Sequence, residues 1–250
     1  MSFGPNILTK PRIIYDTRND ANVGTSMVFS LGITQAAAVD VLIPSGVTIG
    51  ASNTNGWALD FNGVPPGSLI TLINIGRIQG AGGDGGESAS VSGDNYSSGG
   101  GGGGAGTVGG EGGEGWGIGS TGKGADGTTS AGGAGGADIL GATQRDSLVP
   151  TDGGDGGSAL RTSDIKTIIV NRGTIYGGGG GGGGGGLDAG PVTYDGGDGG
   201  GPGQAGVAAG GTTFPGGAGG AAGNAVNGND ITWIEGQSSP NVEGVVTTWP

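Results

Sequence analysis

The residues in this sequence best suited to chemistry are carboxylates set three apart. Glu111 with Glu114, and Asp195 with Asp198, have the makings of the acid and base pair that cleaves glycosidic bonds. Both pairs lie inside Gly-Gly-X runs, where a spacing of three lines side chains along one solvated edge. The reading is therefore an acidic edge that keeps a glycine surface in solution. Three stretches approach the calcium-repeat pattern Gly-Gly-X-Gly-X-Asp-X-apolar-X: residues 82–90, 109–117 and 153–161. Each lacks its Asp, carrying Glu87, Glu114 and Ser158 there, so no metal site is expected beyond incidental calcium on surface carboxylates. Gly122-Lys123-Gly124 has no hydroxyl residue after its lysine and is no phosphate loop.

The residue types that are missing narrow the chemistry further. The chain of 250 residues contains no histidine and no cysteine. That removes Ser-His-Asp and Cys-His nucleophiles, imidazole metal ligands, thiolate zinc sites and disulfides. A formal charge of -12 lacks the basic footprint that a phosphate backbone requires, so no nucleic-acid partner is expected. No apolar run is long enough to cross a membrane as a helix. Met1-Ser2-Phe3-Gly4-Pro5 has neither a basic nor an apolar leader region, so no secretory signal is expected. The expectation is a soluble, acidic, non-enzymatic protein with no catalytic residues and no cofactor.

Composition divides the chain. Glycine numbers 70 and Leu, Ile, Val and Phe together 48, which by simple rules reads as disorder. The glycines are unevenly spread: residues 1–79 hold 9, whereas 80–228 hold 59. Residues 1–79 are read as an N-terminal β attachment domain, 80–228 as a glycine-rich array with loops, and 229–250 as a C-terminal β tail. Val39, Val41 and Ile43 alternate before a Pro44-Ser45-Gly46 turn, and residues 23–31 and 57–61 are further strand candidates. Residues 69–75 are nearly continuous in apolar side chains, as in a strand covered on both faces. No window shows a helical stripe; residues 35–38 are the one helical hint, and they are too few to stand alone. The fold class expected is all-β or irregular, with essentially no α-helix.

An internal repeat argues for order. Residues 72–80 align with 169–177, with Asn, Gly, Ile and Gly at the same offsets 97 residues apart, and 231–236 form a weaker third copy. Both full copies run directly into a glycine tract. The tracts have a period of three, as in Gly82-Gly83-Asp84-Gly85-Gly86-Glu87 and Gly216-Gly217-Ala218-Gly219-Gly220-Ala221, and two runs, 99–104 and 177–186, are glycine throughout. Three residues per turn is the geometry of a left-handed extended helix without internal hydrogen bonds. Its bare edges must bond to neighbouring helices, because buried peptide groups need partners. Gly83, Gly110, Gly154, Gly180, Gly197 and Gly217 are the representative scaffold positions. Collagen is excluded, since glycine is not strictly every third residue and proline numbers only 11. The stretches between tracts, 88–98, 116–121, 137–152, 187–195 and 204–215, become loops at the two ends of a layered stack. They carry Tyr96, Trp116, Tyr194, Phe214, Gln144 and Arg145, the candidate binding residues of a rigid scaffold that presents variable loops.

Asn171-Arg172-Gly173-Thr174-Ile175-Tyr176 followed by the glycine run 177–186 resembles the strand-to-polyglycine junctions of glycine-rich bacteriophage tail-tip adhesins. The resemblance covers about residues 70–228. It implies a sandwich of polyglycine type II helices whose far loops recognise the bacterial surface, a protein or a glycan. It also implies attachment to a tail-fibre or baseplate protein of the virion, with assembly in the host cytoplasm. The family's attachment domain is longer and tryptophan-rich, whereas residues 1–66 hold Trp57 alone. Two other readings use the same scaffold: a virion decoration or baseplate component that never touches the host, and an ice-binding or matrix protein. The absence of a secretory signal and of cysteine argues against the last.

Overall fold

A computed structural model describes residues 10–88, 96–115, 122–137, 139–140, 150–186, 194–212, 215–238 and 240–248. Within them the regular structure is nearly all strand, with one short helix.

The chain opens with β1 (Arg12–Ile14), β2 (Arg18–Asn19) and β3 (Ala21–Asn22), followed by α1 (Val23–Leu31). A second turn supplies β4 (Ala38–Ile43), β5 (Thr48–Gly50) and β6 (Trp57–Asp60). A third begins with β7 (Leu69–Asn74) and β8 (Arg77–Gln79) and then leaves for the first glycine excursion, which contains β9 (Tyr96–Ser97) and β10 (Ile139–Leu140). It closes with β11 (Ser158–Ser163). After β12 (Lys166–Asn171) and β13 (Thr174–Tyr176) comes the second excursion, which returns as β14 (Asn224–Gly228). The last turn is β15 (Ile231–Glu235), β16 (Val242–Glu243) and β17 (Val245–Thr248).

Each turn donates one strand to each of three five-stranded sheets, β1-β4-β7-β12-β15, β2-β5-β8-β13-β16 and β3-β6-β11-β14-β17. All neighbours in these sheets are parallel. The result is a three-sided stack. Strands 158–176 and 224–248, on either side of the second excursion, thus share sheets with strands of residues 12–79. The aligned repeat is what stacks: Leu72 lies against Ile169 and Asn74 against Asn171 in register.

The core is the interior of the stack, built in columns. Val41 sits over Leu72 and Leu72 over Ile169 on one side, and Ile49, Ile78 and Ile175 stack on the second. Leu59, Leu160 and Val226 stack on the third, and all nine are fully buried. Each such side chain contributes roughly 1.5–3 kcal/mol by leaving water. Across the third side Arg161 donates to both carboxylate oxygens of Asp60, at 2.8 and 2.5 Å, and lies over the Trp57 ring.

Two sequence readings are corrected. Residues 23–31 form a helix, not a strand. Asn22 accepts the N–H of Thr25 at 2.7 Å as N-cap, and Gly32, at φ 66°, ends the helix in the left-handed region. The Asn and Gly that bound the segment are therefore helix caps, and Val23 and Met27, four apart, are its buried face. Residues 35–38 remain non-helical. Strand β7 is not covered on both faces either: it alternates, with Ile70, Leu72 and Asn74 buried and Leu69, Thr71 and Ile73 half-buried on the outside.

Candidate functional site at the free end of the glycine array

The glycine tracts pack as ten segments whose backbone bonds run between segments with a period of three. Residues 99–106 show the rule. Their N–H groups go in rotation to three neighbours: Gly99, Gly102 and Ala105 to 194, 197 and 200; Gly100, Gly103 and Gly106 to 122, 125 and 128; Gly101 and Gly104 to 86 and 83. Segment 177–186 rotates in the same manner between 151–157, 99–105 and 204–210. The carbonyls of each accept from three further segments, so each is ringed by six. The bonds lay out three layers: 108–115, 80–88 and 151–157; then 122–128, 99–106, 177–186 and 216–223; then 131–137, 194–201 and 204–210.

This explains the two all-glycine runs. A surrounded segment has no outward edge, and a Cβ at Gly102 or Gly182 would lie 2.0 Å from a neighbour's carbonyl oxygen. Rim segments do have an outward edge, where the third residue of each triplet stands. Some N–H groups of the rim segments, on third residues and on glycines, have no lattice partner, and aspartates of adjacent segments supply one. Asp84 accepts from Glu111 at 2.9 Å, Asp126 from Gly112 and Asp198 from Gly135 at 2.8 Å, Asp152 from Ala218 at 2.7 Å and Asp155 from Ala221 at 2.8 Å. The acidic edge is thus also hydrogen-bonding material. Glu114 of the candidate carboxylate pair faces Lys123 at 3.8 Å, and among the described residues no group of three or more acidic side chains converges.

The lattice has two unlike ends. At one, residues 80, 157, 177 and 223 join β8, β11, β13 and β14 directly, and the short connections 106–108, 128–131 and 201–204 turn beside the stack. Thr107 there donates to the carbonyl of Gln79 at 2.7 Å, and Gln79 to that of Thr129 at 2.9 Å. At the other end the chain leaves the lattice after residues 88, 115, 137, 186 and 210 and returns by 98, 122, 151, 194 and 216. All five long connections therefore belong to the end away from the stack, not to both ends as read from sequence. Residues 204–210, read from sequence as loop, are lattice: Gly180, Gly183 and Gly186 donate to 204, 207 and 210. A rim segment leaves room for side chains, and Val207 is exposed.

The predicted scaffold glycines Gly83, Gly110, Gly154, Gly180, Gly197 and Gly217 all lie in these bonded segments. Of the predicted binding residues, Tyr194 is half-buried at the free end, with its ring against Gly210. The backbone of Tyr96 pairs with Leu140 in the antiparallel β9–β10 ladder. Trp116, Gln144, Arg145 and Phe214 lie outside the described residues. Sequence reasoning had no means of finding the β9–β10 pair, which is two residues long on each side.

A solved structure is similar to this chain. It is the gp37-gp38 adhesin tip complex of the bacteriophage S16 long tail fibre, matched at 16% identity and a TM-score of 0.46 over 95% of this chain and 82% of that chain. No family model and no curated protein matches the chain.

Proposed function

We propose that this chain is a phage virion receptor-binding protein at the tip of a tail fibre. In this reading the segments are polyglycine type II helices, and the free-end loops recognise a protein or glycan of the bacterial surface. The N-terminal part of the stack attaches the chain to a fibre or baseplate protein. The observation that carries the proposal is the asymmetry of the lattice. Five long connections gather at the end away from the stack, while the connections beside the stack are kept short. A scaffold whose surrounded segments are bare glycine and whose long loops all start from one end is organised for recognition and not for turnover. The period-three rotation of hydrogen bonds supports the polyglycine assignment.

The test is to exchange residues 138–150 and 187–193, which lie between lattice segments, for unrelated loops of equal length. Adsorption of the assembled particle and binding of the purified chain to host cells are then measured. Loss or redirection of binding is the expected result. Unaltered adsorption would sink the receptor-binding reading and leave a structural virion component with the same scaffold.

A further inference from the structure

Tyr194 stands where three of the free-end loops meet the lattice. Its carbonyl accepts the N–H of Gly99 at 3.2 Å, and the carbonyl of Gly99 accepts that of Gly185 at 2.8 Å. The next residue, Gly186, donates to the carbonyl of Gly210 at 2.8 Å. Its own carbonyl takes the hydroxyl of Ser98 at 2.5 Å, with Ser98 completely buried. The Tyr194 ring closes the group from above Gly210, so near that a Cβ there would lie 2.6 Å from Cδ1. Ser98, Gly186, Tyr194 and Gly210 are lattice residues that bound the connections 89–97, 187–193 and 211–215. Just before Ser98, the β9–β10 ladder ties in the connection that contains Ile139 and Leu140.

We infer that Tyr194 is a positioning residue of the recognition surface, locking the stems of these loops into one unit instead of serving as an independent receptor contact. The physical reason is the poverty of the stems themselves. Glycine backbone offers hydrogen bonds but no side chain to fix an angle, and one aromatic ring supplies large, stiff contact area at low entropic cost. The inference rests on the recognition reading above.

Full-length Tyr194→Ala, Tyr194→Phe and Gly210→Ala variants separate the two ideas. Hydrogen exchange at Gly99, Gly185 and Gly186 should quicken about tenfold in Tyr194→Ala and Gly210→Ala, equivalent to about 1.4 kcal/mol. It should stay at the native rate in Tyr194→Phe, which keeps the ring. Gly102 and Gly182, deeper in the lattice, should keep native rates in all three variants. Host-cell binding should weaken about tenfold in the same two variants and hold in Tyr194→Phe. Native exchange at the three stem amides in both variants overturns the inference, as does quickening that spreads equally to Gly102 and Gly182. Quickened stems with unaltered cell binding overturn it as well. Failure of the unmodified chain to bind any cell refutes the recognition reading instead.

Discussion

Asn74 donates from Nδ2 to Oδ1 of Asn171 at 2.8 Å, inside the stack and across 97 residues of sequence. The two hold the same place in the repeat, and Asn171 passes the chain on by donating to the carbonyl of Gly236 at 3.0 Å. The column ends at Ile43, which lies beside Asn74 in the preceding turn and leaves Oδ1 of Asn74 without a partner. Asn171→Ala removes an acceptor and a donor at once, and should cost about 1–3 kcal/mol, read as a lower denaturant midpoint at unchanged slope. The double variant with Asn74→Ala should cost less than the sum of the two, because they share one bond.

The aspartates on the lattice rim act through an oxygen acceptor, not through charge alone. Asp155→Asn keeps an oxygen for the Ala221 N–H and should leave exchange at that amide near the native rate. Asp155→Ala should speed it. Since the site is exposed, the effect on global stability should stay below about 1 kcal/mol. Equal exchange in the two variants would show that the 2.8 Å contact contributes nothing.

Glycines that look alike in sequence differ sharply in what surrounds them. A Cβ at Gly180 would sit 2.0 Å from the Gly220 carbonyl oxygen, whereas at Gly154 nothing approaches nearer than 3.1 Å. Gly180→Ala should therefore lower the thermal midpoint by more than about 5 °C, and Gly154→Ala by less than about 2 °C. Calorimetry on the two variants decides the matter.

Tyr15 provides a pH test. Burial holds its phenol above the usual value of 10.0, against the opposing hydrogen bond to Ser26 and the charge of Arg18. The folded state therefore keeps a proton that the unfolded chain releases first. Stability from this group is intact below about pH 10 and is lost as pH rises through the higher folded value. Tyr15→Phe should flatten the decline in unfolding free energy above pH 10, and an unchanged slope would assign that decline to other groups.

The local rules are written in the order of residues. Triplet spacing set which residues can stand on an outward edge, and the aligned Asn and Gly offsets marked a repeated structural unit. These properties follow from three residues per turn and from alternation along a strand, and neighbours in sequence are enough to read them. Tertiary structure decided the rest. It chose which segment bonds to which, sent residues 158–176 and 224–248 to the sheets begun by residues 12–79, and gathered five connections at one end. It also made residues 23–31 a helix, packing Val23 and Met27 into the core. The physical reason is that one glycine edge is equivalent to any other. A lattice of interchangeable backbones takes its order from the stack that anchors it and from the turns that join its segments, and both are long-range properties of the fold.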